Sequence, residues 1–479
     1  MEYKLKNIKP NIVFRYFEEL SAIPRCSGNE AAAVDYIAAV AIKHGLWYHR
    51  DDYNNILVVR PADNGKESVQ SVLLQGHTDM VCQKNSDISH DFDNVGIELI
   101  VKDGYISANG TTLGGDDGIA CAYMLALLTS DDLNLGRIEC LFTSNEEVGM
   151  TGAYNFDYSL ISSGLMINLD SEDEGTLVAG CAGGVRCEIS FDTEPLPEKN
   201  KIQKIEISGL CGGHSGSDIN SGRKNAARIL AQLLDRMYQL QPFNLVSLFG
   251  GDKDNAIPRE AVAVIATPEP SVYSSVISDF IAGYKNRLVK DDNLMRIRTA
   301  KHRHIGTMFS FSDTSRIISE LLLSANGVSE MSAGLPDMVE TSSNLGIVRA
   351  ENGSFRSVHL IRSNSDCGLE LMIGKFKRFA KLLGCDVKFM NRYPGWEYKK
   401  TSRLRDLYSE IFEKLYERKP KVEAIHAGLE CGVILSNLPD MDIISIGPDI
   451  EDIHSPDERL NIASAERTWN LLLEILKHV

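Results

Sequence analysis

Val72-Leu73-Leu74-Gln75-Gly76-His77-Thr78-Asp79-Met80 is a short apolar run closed by a glycine and followed by a histidine and an aspartate two positions apart. The run predicts a buried strand that Gly76 ends. In extended backbone, residues i and i+2 share a face, so His77 and Asp79 are expected side by side. A metal-ligating imidazole commonly has a carboxylate behind its second ring nitrogen, which fixes tautomer and orientation. A lone His-x-Asp is more often a loop histidine beside a solvated aspartate. The stretches downstream tip the balance.

Working outward, further short strands are expected at 56–59, 138–143 and 165–169, with helices at 8–20, 30–44 and 119–128 between them. Alternation of this kind predicts an α/β layer whose strands carry functional residues at their ends. From 188 to 393 the texture changes to amphipathic strands (202–207, 262–267) and long helices (222–240, 271–288, 366–383). That segment predicts an inserted α+β domain, long enough for two α+β units, although no internal repeat is visible by eye. The α/β texture then returns, with helices at 402–417, 429–436 and 461–477 and strands at 422–425 and 441–446. The expected architecture is one α/β domain, residues 1–187 and 394–479, interrupted by an inserted domain, residues 188–393.

Composition limits the function classes. A chain of 479 residues exceeds what a single core usually serves, and 43% hydrophobic with 24% charged residues is ordinary for a globular protein. The formal net charge of −16 argues against nucleic acid and against an anionic membrane surface as partners. No apolar run reaches the length of a membrane span, and Met1–Lys6 lacks the apolar stretch of a secretory signal. Ten cysteines lie scattered without a Cys-x-x-Cys pair. That usage predicts reduced thiols and a cytoplasmic location.

Four further stretches carry chemistry. Asp116 lies in the Gly-rich loop Gly114-Gly115-Asp116-Asp117-Gly118. Glu146 and Glu147 follow the strand at 138–143, Asp170 follows the strand at 165–169, and His454 lies in Ile453-His454-Ser455-Pro456. Placed at strand ends, these groups can converge in one crevice. Two His, two Asp and two Glu would suit a pair of zinc ions with a bridging carboxylate, leaving one Glu as a base. No His-Glu-x-x-His or phosphate-loop sequence is present, and Gly213-His214-Ser215-Gly216-Ser217 lacks the last glycine of a nucleophile elbow.

His77-Thr78-Asp79, Gly115-Asp116-Asp117-Gly118, Asn145-Glu146-Glu147-Val148-Gly149, Asn168-Leu169-Asp170-Ser171 and Ile453-His454-Ser455-Pro456 resemble the motifs of the co-catalytic zinc peptidases. Gly180-Cys181-Ala182-Gly183-Gly184, Gly212-Gly213-His214-Ser215-Gly216 and His426-Ala427-Gly428-Leu429-Glu430-Cys431-Gly432 narrow the resemblance to the bacterial aminoacyl-histidine dipeptidases. It implies a catalytic domain interrupted by a lid. His77 and Asp170 would hold one Zn²⁺, Glu147 and His454 the other, and Asp116 would bridge them. Mn²⁺ or Co²⁺ would accept similar ligands. Glu146 would be the general base and Asp79 the partner that orients His77. The lid would contribute His214, Asn255 and Arg362 to substrate binding, and Gly428 would offer its backbone. The implied reaction is hydrolysis of an Xaa-His dipeptide such as β-alanyl-histidine by a metal-held hydroxide. A broader di- or tripeptidase, an N-acyl amino acid deacylase and an inactive metal-binding or scaffolding relative are the rivals. The resemblance implies a small peptide substrate and allows a homodimer. Asp117 departs from the family pattern, and a second carboxylate beside the bridge is expected to perturb the metal site.

Overall fold

The computed structural model describes residues 3–131, 133–197, 200–302, 306–335 and 337–479. The protein is a mixed α/β chain of two compact units: Met1–Gly180 with Tyr398–Ala424 and Leu429–Val479, and Cys181–Glu397 with Ile425–Gly428. The border drawn from sequence at 187/188 falls inside the strand Gly183–Asp192. That strand pairs with Ser354–Ser363 and Asp386–Tyr393, both of the second unit.

The first unit is built on an eight-stranded sheet. Its centre is four neighbouring strands, Ile138–Thr143, Val72–His77, Leu165–Asn168 and Asp442–Ser445, each parallel to the next. All their carboxyl ends therefore lie along one edge. Ile138–Thr143, Val72–His77 and Leu165–Asn168 are buried at every position, which is why they read as continuous apolar runs rather than alternating ones. The helix Gly115–Thr129 has no solvent face: every residue from Gly115 to Leu128 is buried. Gly76 is fixed by close approach, because a Cβ there would collide with the Asp117 carboxylate and with Ala120. Helix starts follow their caps. The first helix begins at Asn11, after Pro10, and Asn461 accepts the Ser464 N–H to start Ile462–His478.

The second unit contains a duplication that the sequence does not display. Lys201–Ser208, helix Ala226–Leu240, Asn244–Gly250, Ala261–Thr267, helix Ser274–Lys285 and Arg296–His302 form one βαββαβ set. Gly183–Asp192, helix Phe311–Leu323, Val339–Glu351, Ser354–Ser363, helix Asp366–Leu383 and Asp386–Tyr393 form another, into which the first is inserted. Each lies in its sheet in the order fourth, first, third, second, and the two second strands, Asn244–Gly250 and Val339–Glu351, pair antiparallel to join the halves.

One expectation is corrected. The cysteines were expected to be reduced throughout, yet Cys26 and Cys82 form a disulfide across a sequence separation of 56. Folding brings Cys26 beside Met80 in an isolated bridge, an adjacency with no local sequence signature. Cys121, Cys140, Cys181, Cys187 and Cys431 are buried and lie outside that disulfide.

Candidate metal centre and substrate-binding cluster

Within the first unit the strand ends gather the acidic and imidazole side chains. His77 closes its strand and is 1% exposed. Its Nε2 lies 3.0 Å from Asp116 Oδ1 and 3.4 Å from Asp170 Oδ1. His454, at a positive φ of 59°, brings its Nε2 to 3.1 Å from Asp116 Oδ2 and 2.9 Å from Glu147 Oε1. Asp116 thus divides its two oxygens between the two histidines. Three groups could each hold a cation: His77, Asp116 and Asp170; Asp116, Glu147 and His454; and His77, Glu146 and Glu147. In each, the ligand atoms lie within 4.8 Å of one another. The donor set is imidazole and carboxylate, the chemistry that zinc and similar divalent ions accept.

Asp79 does more than orient an imidazole. Its Oδ1 stands 3.3 Å from His77 Nδ1 and accepts the Glu146 N–H at 3.0 Å. Its Oδ2 accepts the Glu147 N–H at 3.3 Å and the Ser27 hydroxyl at 2.8 Å. One buried carboxylate therefore sets both the first histidine and the turn carrying the two glutamates. Adjacent glutamates can then serve different partners, since the turn leaves the strand before reaching them.

The electrostatics are those of a cation site. Burial opposes charge on His77, yet Asp170, Asp116 and Asp79 raise its pKa well above the ordinary value. Hydrogen bonds to Asp116 and Glu147 raise His454 to about 10. Burial pushes Asp170 up to about 6, and burial, Asp170, Glu430 and Glu147 hold Glu146 well above the usual carboxylate range. Asp117 has a backbone partner: its Oδ2 accepts the His77 N–H at 3.1 Å, and burial, with Asp170 next, raises its pKa strongly. It braces the backbone beside Asp116 and, among the described residues, belongs to none of the three groups.

Several supporting residues escaped sequence reading. Arg25 donates to the carbonyls of Thr78 and Asp79, at 3.0 Å each, and to that of Gly114. Glu430, fully buried, accepts from Gln75 Nε2 and Thr143 Oγ1, each at 2.6 Å. Glu458 accepts from the backbone at Leu113–Asp116. Glu430 lies inside the motif His426–Gly432, but nothing local marks a side chain whose partners are distant in the chain.

The second unit holds the remaining expected residues. His214 Nε2 and Arg362 Nη2 are 3.5 Å apart, and Arg362 Nη1 donates to the Tyr393 hydroxyl at 2.8 Å. The Ser217 N–H donates to His214 Nδ1 at 3.2 Å, while the Arg362 guanidinium, a donor only, faces Nε2. Burial, then Arg362, lowers the His214 pKa and favours the neutral form. Asn255 is exposed, its carbonyl accepting the Ser215 N–H at 2.8 Å. Gly428 ends the segment Ile425–Gly428, which Ala182 N–H fastens through Ile425 O and Ala427 O. Tyr393, and His426 held between Asn364 Oδ1 and Ser342 Oγ, are additions to the set.

The model of peptidase family M20/M25/M40 matches residues 73–478. The chain belongs to that family. It is 35% identical over 481 residues to a cytosol non-specific dipeptidase of Escherichia coli, with 99% of each chain covered. It also superposes on the crystal structure of an aminoacylhistidine dipeptidase from Vibrio alginolyticus with a TM-score of 0.92, at 34% identity. That match covers 100% of this chain and 98% of the other. An aminopeptidase PepT from Bacillus cereus shares the fold at a TM-score of 0.57 and 18% identity, covering 98% of each chain.

Proposed function

We propose that this chain, a metallopeptidase hydrolysing dipeptides, acts on aminoacyl-histidine substrates in the cytoplasm with two zinc ions. Of the pair, His77 and Asp170 would hold one ion and Glu147 and His454 the other, with Asp116 shared between them. The observation that carries the reading is the split of Asp116 between His77 and His454. When bound, such a pair supplies Lewis acidity, polarising a carbonyl and acidifying water. Glu146, whose buried carboxylate has a raised proton affinity, takes the proton of the attacking water and delivers it to the leaving amine. Asp79 holds Glu146 and His77 in register. In the second unit, the His214 imidazole and the Asn255 amide serve as donors to the oxyanion. The Arg362 guanidinium binds the peptide carboxylate, and Gly428 offers its backbone.

A broader dipeptidase is the second reading, favoured by the similarity to the cytosol non-specific dipeptidase of Escherichia coli. A panel of Xaa-His dipeptides, other dipeptides, tripeptides and acetylated amino acids separates the two and tests the deacylase alternative. The proposal expects β-alanyl-histidine and related Xaa-His peptides to have the highest kcat/KM. It also expects activity to vanish with a chelator and return with zinc. Equal turnover across unrelated dipeptides would favour the broader enzyme, and no turnover of any member after zinc loading would leave only an inactive relative.

A further inference from the structure

Glu458 is 2% exposed and uses both oxygens on one short stretch of backbone. Its Oε2 accepts the N–H of Leu113 at 2.8 Å and of Gly114 at 3.1 Å. Its Oε1 accepts the N–H of Gly115 at 2.7 Å and of Asp116 at 3.3 Å. These are consecutive donors at and before the start of the helix Gly115–Thr129, which have no partner within the helix itself. A carboxylate receiving several backbone N–H groups makes charge-assisted bonds, stronger than neutral ones. The other end of the connection is equally defined. Glu458 lies four positions after His454 in a loop closed on itself. There Ser455 Oγ donates to Asp452 O at 2.7 Å, and the Glu458 N–H donates to Ser455 O at 3.1 Å. The loop is the tip of a hairpin in which Ile450 pairs with Leu460 and Glu451 with Arg459.

Asp116 and His454 are 338 positions apart in sequence, and their ligand atoms must keep a fixed spacing to share a cation. We propose that Glu458 is a positioning residue for the Asp116–Glu147–His454 group. It fastens the loop that carries His454 to the backbone of the residue that bridges, and so sets the distance between the two ligands. His77 and Asp170 are carried at the ends of strands Glu458 does not touch and would feel only a shift of Asp116, whereas loosening Glu458 would move His454 against both Asp116 and Glu147, so the larger effect falls on the ion at His454. The inference rests on the two-ion reading above.

The test loads wild-type protein and Glu458→Gln with zinc, removes the excess and follows release to a chromogenic chelator. Gln keeps the shape but turns an N–H donor pair toward backbone donors. The expected result is two equivalents released from wild type. The variant should release one of them at least tenfold faster, with the other accelerated distinctly less. Release of both at wild-type rates, or equal acceleration of both, would overturn the proposal. A wild-type protein that binds fewer than two equivalents would instead overturn the two-ion reading. Should the variant fail to fold by circular dichroism, amide hydrogen exchange on the wild-type holoenzyme decides. Protection at Leu113–Asp116 matching the helix interior supports the tie, and rapid exchange there refutes it.

Discussion

At the scale of residues, the site is a set of shared carboxylates. Asp116 serves two histidines, and Asp79 serves one histidine and two backbone N–H groups, so neither can be replaced without disturbing more than one partner. Glu146 is different. The Asp79 contact is to its backbone, so its side chain can change while the turn stays in place. Glu146→Gln is therefore expected to lower kcat by 10²–10⁴-fold, the usual range for losing a general base, with metal content unchanged. Elemental analysis beside steady-state kinetics checks this, and wild-type turnover in the variant would remove Glu146 from its assigned role.

At the scale of elements, the helix Gly115–Thr129 positions Asp116 and is also the centre of a core. Leu125 and Met124 are 0% exposed, and Phe14, Phe17 and Tyr123 belong to the same buried cluster. Such a helix cannot relax toward solvent. Leu125→Ala leaves a cavity whose cost should be about 2–5 kcal/mol, transfer and cavity terms together. Urea unfolding followed by circular dichroism measures it. A loss below about 1 kcal/mol would mean the neighbouring side chains collapse into the space. The same helix explains Gly76, since Asp117 and Ala120 occupy the place where its side chain would be.

At the scale of the whole molecule, the two units carry different titrating machinery. The first gathers carboxylates, in a chain already at −16. The second buries His426, whose pKa burial, then Arg362, then His214 push down to about 3, so it folds neutral. An unfolded histidine titrates near 6.5. Between those values the unfolded chain binds more protons than the folded one, so this residue's contribution to stability is present above pH 6.5 and lost as pH falls toward 3. Relative to a His426→Asn variant, wild type should lose stability on acidification from pH 6.5 to 4.5 by up to ~1.4 kcal/mol per pH unit. Denaturant melts at several pH values read that difference in slope. Parallel curves would show His426 charged or exposed in the folded protein.

The amino-acid sequence alone specified the buried parallel strands, because strands covered on both faces must be apolar throughout, and it placed a ligand-type residue after several of them. The helix expected at 366–383 is found at Asp366–Leu383, where the Ser365 side chain caps its start and Gly384, in the left-handed region, ends it. The motifs named His77, Asp116, Glu146, Glu147, Asp170 and His454, since side-chain chemistry is written in residue type. Tertiary structure alone decided how those residues are held. Glu458, Arg25 and Glu430 act on backbone or side chains far away in the chain, and a backbone N–H or carbonyl has no identity in a sequence. The Cys26–Cys82 pair and the duplicated βαββαβ sets were hidden likewise, because each depends on which segments meet after folding. Burial patterns are local and can be read in order; partnerships across hundreds of residues exist only once the chain has closed on itself.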